Sequence, residues 1–416
     1  MSPNRDREFD LVLLGATGFV GRLTAQHLAR HAPSDVRIAL AGRSGDRLTQ
    51  VRATLDERAR DWPLVVVDIT DTEAVRSLVE RTGVVVSTVG PYLRHGLPLV
   101  EACAAAGTDY ADLTGETLFV RRCIDAAHAV AQETGARIVP ACGFDSIPSD
   151  LGVGLTAAQA RADGNGELAD TVLHVRDMRG GISGGSIDSL RQMTLEVEGS
   201  PELRAMVSKP TCLVGDTTPK PAARVRPHRT GPKSPIGRHP RTGVWEAPFV
   251  MGGFNRQIVL RTNALADGIY GPAFRYREVI DIGPGVFGVV GAAGVAAGST
   301  ALMSGMAFKP SRWLLGKVLP DPGEGPTDRA RARGYFRLAV ESSTTGGARY
   351  LTRIAAEYDP GYDGTAVMLG ESALSLARDD LPTTGGVLTP MAAMGETLAE
   401  RLRRRGFTLF TEAVPG

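Results

Sequence analysis

The sequence predicts an α/β protein: a Rossmann-like, doubly wound parallel sheet joined to a second α+β domain. Three observations carry that expectation. Short apolar runs alternate with helical stretches through the first 150 residues, the arrangement that builds a parallel sheet covered by helices. The first apolar run ends in a glycine turn that opens a helix, which is how a dinucleotide-binding fold begins. The rest of the chain loses that alternation, and 416 residues with 43% hydrophobic side chains supply enough core for two domains. The expected division is a dinucleotide-binding domain over 1–150, a substrate or dimerisation α+β domain over 151–365, and C-terminal helices over 366–416 that return to the first domain.

Phe9 to Leu14 reads FDLVLL, a buried strand, and runs directly into Gly15, Ala16, Thr17, Gly18, Phe19, Val20 and Gly21. Arg22 to Arg30 continues as a helix. Gly15 permits the turn, Gly18 lets a pyrophosphate approach backbone N–H groups, and Gly21 allows close packing of helix on strand. The helix start then faces the phosphate charge, with Thr17 and Phe19 completing the loop. An ordinary tight turn is the alternative reading of a lone glycine motif; the strand and helix signals that follow favour a cofactor. Val36 to Ala41 is the second strand and ends in Gly42, Arg43 and Ser44. An NAD site commonly places a carboxylate here for the ribose. A guanidinium and a hydroxyl suit a 2′-phosphate instead, so NADP(H) is expected over NAD(H), against a solvated Arg43 indifferent to the choice.

The pattern repeats. Leu64 to Val67 ends at Asp68, an expected neighbour of the adenine, and Val84 to Thr88 precedes Val89, Gly90, Pro91 and Tyr92. A helix over Leu97 to Ala106, a strand over Asp109 to Leu113, a helix over Thr117 to Glu133 and a strand over Ala136 to Val139 follow. Ligand groups gather at the C-termini of such strands, which brings Gly90 and Pro91 to the cofactor. Phe144 to Asp150, FDSIPSD, closes the alternating half, with Ser149 expected to cap a helix that starts near Asp150.

The second half is less regular. Thr171 to Met178 and Asn255 to Arg261 read as strands, with a glycine-rich joint at Gly180 to Gly185. Pro201 to Gly243 holds eight prolines and nine Lys or Arg residues against two acidic ones; it is expected to be a long excursion or flap, with a solvated loop favoured over a contact for an acidic carrier or partner enzyme, and nucleic-acid binding last for want of a reading element. Val286 to Phe308 is uncharged and has three readings: a buried or homodimer-interface helix, a greasy channel wall or peripheral membrane contact, and a membrane span. Its many Gly, Ala and Ser residues weaken the last. Ala366 to about Leu376 reads as a helix, and an amphipathic helix near Glu396 to Arg405 ends the pattern.

Forty-seven basic and forty-six acidic side chains give a formal charge of +1, which offers no general electrostatic basis for binding nucleic acid. Cys103, Cys123, Cys142 and Cys212 lack CxxC or metal-site spacing, and the N-terminal segment has no apolar signal. A reducing, cytoplasmic setting without a metal is the expectation. No HExxH, GxSxG, Walker-type or EF-hand pattern is present.

The expected chemistry lies where the strands end. Reducing a polarised C=C bond needs hydride on one carbon, a proton on its neighbour, and stabilisation of the charge that develops on the carbonyl. His95, Tyr92 and Tyr110 are the candidate proton donors, although either tyrosine could equally pack against the cofactor. Asp112, Thr114, Glu116, Asp145 and Ser146 are the candidate substrate contacts, with loop organisation or helix capping as the alternative for the two acids Asp112 and Glu116.

Taken together, GATGFVG (Gly15 to Gly21), AGRS (Ala41 to Ser44), VGPY (Val89 to Tyr92), YADLTGE (Tyr110 to Glu116) and CGFDSIPSD (Cys142 to Asp150) resemble the saccharopine dehydrogenase-like oxidoreductases. The likeness is nearest to their actinobacterial trans-acting enoyl reductase branch. GGISGGS (Gly180 to Ser186), DPGY (Asp359 to Tyr362) and GGVLTP (Gly385 to Pro390) extend it almost end to end. The resemblance implies NADPH-dependent saturation of an α,β-unsaturated polyketide or lipid intermediate beside a modular polyketide synthase. It implies cofactor contacts at Gly15, Gly18, Gly21, Arg43 and Ser44, with Gly90 to Tyr92 and Tyr110 to Glu116 bordering nicotinamide and substrate. The apolar segment would suit an acyl chain, and the basic excursion an acyl carrier protein. Relatives acting on other carbonyl, imine or lipid substrates, and a non-catalytic cofactor-bound lipid-associated scaffold, are the alternatives.

Overall fold

The computed structural model describes residues 7–180, 194–214, 236–307, 325–381 and 385–415. Two seven-stranded sheets organise them. The first comprises β1 (Phe9–Leu14), β2 (Ile38–Gly42), β3 (Leu64–Val66), β4 (Thr82–Ser87), β5 (Asp109–Asp112), β6 (Arg137–Val139) and β13 (Gly386–Val387). They lie in the order β13-β6-β5-β4-β1-β2-β3, all parallel. Leu11 to Leu14 and Val84 to Val86 are buried on both faces, which is why these strands read as continuous apolar runs rather than alternating ones. The helices α1 (Phe19–His31), α2 (Gly45–Ala53), α3 (Thr72–Glu80), α4 (Tyr92–Ala106) and α5 (Thr117–Thr134) connect β1 to β6, and α6 (Ile147–Ala162) leads from β6 to the second sheet. After β3 the chain crosses to the other side of β1 to form β4. That reversal opens a crevice at the C-terminal ends of β1 and β4, where such sheets bind their ligands.

The second sheet holds β7 (Leu168–Arg179), β8 (Gly237–Arg238), β9 (Trp245–Pro248), β10 (Arg275–Gly283), β11 (Tyr335–Thr344), β12 (Arg349–Ala356) and β14 (Thr408–Val414). Its order is β14-β12-β11-β7-β10-β9-β8, antiparallel except for the β7–β10 pair. Along β12 Tyr350, Thr352, Ile354 and Ala356 are buried while the residues between them are not, the alternation of a sheet with one covered face. α6 provides the cover. A Cβ at its Gly152 would lie 2.6 Å from Ile354 Cδ1 and 3.0 Å from Val340 Cγ2, so a glycine is what lets the helix approach this closely.

Several elements depart from the sequence reading. Asn255 to Arg261, read as a strand, lies within the helix α8 (Gly252–Leu265). Asn255 and Thr262, two helical turns apart, bond to Ser146 and Asp150 at the start of α6, a spacing no strand reproduces. The helix α6 starts at Ile147, so Ser149 is inside it and donates to Glu278 (2.7 Å) rather than capping. Within the basic segment, α7 (Pro201–Val207) is helical and Cys212 and Leu213 are buried; Gln257 donates to the carbonyls of Val207 and Lys209 and Arg261 to that of Leu213. Residues 215–235, like most of the glycine-rich joint, lie outside the described residues.

The apolar stretch forms α9 (Gly285–Ala307). Small residues set it against β9 and β10, since a Cβ at Gly288 would stand 2.0 Å from the Gly283 carbonyl oxygen and 3.0 Å from Trp245, while Val286, Phe287 and Val290 point outward at 74%, 93% and 66% exposure. Among the described residues no helix is long and apolar enough to cross a membrane. After α10 (Thr365–Arg378) the chain adds β13 to the first sheet, forms α11 (Pro390–Arg404) and ends as β14 in the second.

Candidate dinucleotide site and active site

At the end of β1, Gly15 adopts φ +87°, a conformation that favours glycine. A Cβ there would meet Thr88 Oγ1 at 2.6 Å, and the Thr88 hydroxyl donates to the Gly15 carbonyl (3.0 Å), which joins the loops after β1 and β4. A Cβ at Gly21 would fall 2.2 Å from the Gly15 carbonyl oxygen, so α1 rests directly on the turn. Gly18 is the N-cap. No side chain caps α1 and its first turn carries no acid, which leaves its amides and the positive end of its dipole for an anion. This cradle fits a dinucleotide pyrophosphate. Thr17 is half-buried beside Gly42. The Phe19 ring meets Tyr362 edge-on at 4.9 Å, with the Arg331 guanidinium 5.5 Å from its centre.

The end of the crevice beside β2 and β3 is polar. Arg43 is exposed at the end of β2, and Ser44 caps α2 by accepting from Arg47 N–H (3.4 Å). Asp68, past β3, accepts from the Thr70 N–H and hydroxyl, and these bonds, joined by the charges of Arg43 and His95, hold its carboxyl below the usual aspartate range. His95 is half-buried in the first turn of α4, within electrostatic reach of Asp68. The Gly90–Pro91 peptide is cis, and Pro91 precedes α4 while Gly90 stays exposed.

The loops after β4 and β5 are locked by buried polar groups. Glu116, fully buried, accepts from the backbone N–H of Tyr92 (3.1 Å) and Leu93 (2.8 Å), so its carboxylate caps α4. Tyr92 donates its hydroxyl to the Ser87 carbonyl (3.1 Å) and accepts from Leu113 N–H (3.3 Å). The Tyr110 hydroxyl donates to Asp112 Oδ2 (2.9 Å), whose Oδ1 accepts from Thr114 and Ala141 N–H. Thr114 Oγ1 accepts in turn from Glu116 N–H. Burial raises both tyrosines well above their usual values and Asp112 to about 7. Both phenols are enclosed and committed to partners inside the loop.

Domain closure contributes groups with no warning in the sequence. Ser146 donates to Asn255 Oδ1 (3.0 Å), and Asn255 Nδ2 donates to Glu278 Oε2 (3.0 Å). Glu278 Oε1 accepts from Ser149 and Tyr276 hydroxyls, each at 2.7 Å. Burial raises the Glu278 carboxyl even against these three donors. Asp145, half-buried beside Gly115 and Met251, adds charge to the same cluster. Ser146 and Asp145 lay in a motif; Asn255 lay in a misread strand, and Glu278 in a strand whose sequence, RYREVIDIG, distinguishes it from its charged neighbours only by alternation.

Rossmann strand order, an uncapped glycine turn at the crevice and a second domain over the strand ends define a two-domain dinucleotide-binding protein. Residues 11–139 match the saccharopine dehydrogenase NADP-binding domain. A Mycobacterium tuberculosis protein that carries the name trans-acting enoyl reductase provisionally is 48% identical over 412 residues, covering 97% of this chain and 98% of its own. The trans-acting enoyl reductase of Mycobacterium ulcerans is 45% identical, covering 96% and 97%. Apo saccharopine dehydrogenase (L-Glu forming) from Saccharomyces cerevisiae shares the fold, with a TM-score of 0.55 at 12% identity over 97% of this chain and 99% of that one. The chain belongs to the saccharopine dehydrogenase-like oxidoreductases, among the relatives named trans-acting enoyl reductases.

Proposed function

We propose that this protein is an NADPH-dependent trans-acting enoyl reductase that saturates an α,β-unsaturated acyl intermediate delivered by a polyketide synthase. The observation that carries the reading is full-length similarity to relatives of that name, on a chain whose glycine turn fits a dinucleotide. NADPH supplies hydride to the β-carbon and becomes NADP+, and a proton added at the α-carbon completes the C–C single bond. In this reading Arg43 and Ser44, just past the end of β2, bind the 2′-phosphate, which supports NADPH over NADH. Of the three expected proton donors, Tyr92 and Tyr110 shape the loop through buried hydrogen bonds. His95, which keeps solvent contact, takes the donor role in this proposal. Asp145 and Ser146 position the acyl thioester, while Asp112, Thr114 and Glu116 hold the loop that borders it.

The test is NADPH oxidation with a carrier-linked enoyl thioester, read together with product mass. A protein-dependent gain of two hydrogens, one of them deuterium when the transferable hydride is labelled, supports enoyl reduction. Bound NADPH with no mass change across a range of chain lengths removes the proposal and turns attention to imine and carbonyl substrates.

A further inference from the structure

The face of the second sheet opposite α6 carries a cluster that the reductase reading does not use. Strand register places His174 on β7, Asp281 on β10 and Glu246 on β9 on that one face, with Asp281 directly opposite Glu246. His174 Nδ1 lies 2.8 Å from Asp281 Oδ1 and 4.0 Å from Glu246 Oε1, and the three ligand atoms fall within 4.8 Å of one another. His174 and Glu246 are 1% and 2% exposed. Glu246 Oε1 is buried and has no hydrogen-bond partner, and an unsatisfied carboxylate oxygen away from water is costly.

We propose that His174, Glu246 and Asp281 form a binding site for one divalent transition-metal ion of the zinc class. Each carboxylate offers one oxygen to the cluster and turns the other to an arginine: Arg277 bonds Glu246 Oε2 at 3.0 Å, and Arg176 Nε lies 4.0 Å from Asp281 Oδ2. Monodentate ligands oriented by outer partners are how such sites are built. One neutral imidazole and two carboxylates balance a dication, and the nitrogen donor selects a borderline metal over calcium or magnesium. Zinc bonds of about 2.0–2.1 Å put tetrahedral ligand atoms about 3.3 Å apart, so side-chain shifts of under about 1 Å close the site. In the bound form the Nδ1 lone pair faces the ion and the ring proton sits on Nε2. His174 and Glu246 also line a cavity of about 950 Å³, together with Val172, Arg277 and Leu351.

The neighbouring set of His174, His239 and Glu341 does not qualify. His239 Nδ1 accepts from the backbone N–H of Arg241 and Thr242, which puts its proton on Nε2, donated to Glu341 Oε2 at 3.3 Å. Glu341 is further taken up by Arg176 and Arg241. Those atoms are taken up by groups outside the set, whereas in the first set the His174 Nδ1–Asp281 Oδ1 hydrogen bond joins two of the proposed ligands and opens to admit the ion, and Glu246 Oε1 has no hydrogen-bond partner.

The inference is independent of the reductase reading. The full chain, stripped with chelator, is titrated with Zn2+ against a chromophoric competitor, and with Co2+ while its visible d–d bands are followed. One ion per chain is expected, with Co2+ bands in the wild type. Glu246→Gln and Asp281→Asn should each weaken binding by more than the ~10–100-fold typical of an outer-partner change, while His31→Gln leaves it unaltered. Absence of stoichiometric Zn2+ and Co2+ binding by the wild type overturns the proposal and leaves a buried water as the partner of Glu246. So does unchanged affinity in folded Asp281→Asn, which keeps the test decisive if Glu246→Gln fails to fold.

Discussion

At the scale of single residues, Arg43 has the most direct consequence. If its guanidinium grips a 2′-phosphate, Arg43→Ala should raise the KM for NADPH by about tenfold to a hundredfold, the equivalent of ~1.5–3 kcal/mol for a hydrogen bond to a charged group. The KM for NADH should stay within about twofold, and steady-state kinetics with both cofactors checks this. Asp112 makes a different kind of prediction. Its pKa is pushed from the usual 3.8 to about 7 by burial, against the hydrogen bonds that favour its charge. The folded state therefore holds this proton more tightly than the unfolded chain, so the contribution of Asp112 to stability is present below about pH 4 and is lost as pH rises towards 7. Asp112→Asn should flatten the stability profile in that window by up to about 1.4 kcal/mol per pH unit, read from urea midpoints between pH 4.5 and 7.5. The sequence showed both residues and placed Asp112 at a strand end, but only burial assigns it to the loop's interior.

At the scale of elements, α4 depends on a residue outside itself. Its N-terminal amides are capped by Glu116, from the loop after β5, so one carboxylate joins two loops of the crevice and meets the helix dipole. Glu116→Ala should leave two amides unpaired and cost about 1–3 kcal/mol, measured by chemical denaturation, while Glu116→Gln, which keeps one acceptor, should cost less. Helix position was only partly legible. The α4 helix begins at Tyr92, five residues before the apolar periodicity suggested, because its first turn is held by a distant acid rather than by local caps. The same cause turned Asn255 to Arg261 into a helix: short apolar runs with β-branched residues do not distinguish strand from buried helix, and packing on α6 decided the matter.

At the scale of the whole molecule, the C-terminal segment ties the two sheets together. Glu371 in α10 accepts from His27 of α1 (2.9 Å), Arg401 of α11 (3.3 Å) and Arg405 (2.6 Å) at 1% exposure. Burial alone would raise its carboxyl, but the bonds from His27 and Arg405 outweigh that and bring it to about 2. Its contribution is therefore present above about pH 4.5 and is lost as pH falls towards 2. Glu371→Gln should cost about 3 kcal/mol at pH 7, since it removes the counter-charge of the part-buried Arg405 while Arg401 keeps Asp379, and its stability should converge with the wild type's at about pH 2 and below. Denaturation across that range is the check. β13 and β14, which the same segment gives to different sheets, make loss of this clamp a whole-molecule effect rather than a frayed end.

By itself the sequence determined the dinucleotide half. Gly15 and Gly21 must be small because a turn and a helix-to-strand contact occur within seven residues, and a purely local constraint leaves a local trace. Continuous burial of the parallel strands leaves another. Tertiary structure alone decided that Tyr92 and Tyr110 face inward, that Asn255 and Glu278 join Ser146, and that His174, Glu246 and Asp281 converge on one face of the second sheet. Those residues stand up to 129 positions from their partners, as Glu278 does from Ser149. Strand register and the contact of the second sheet with α6 bring them together, and neither is written in the spacing of residues along the chain.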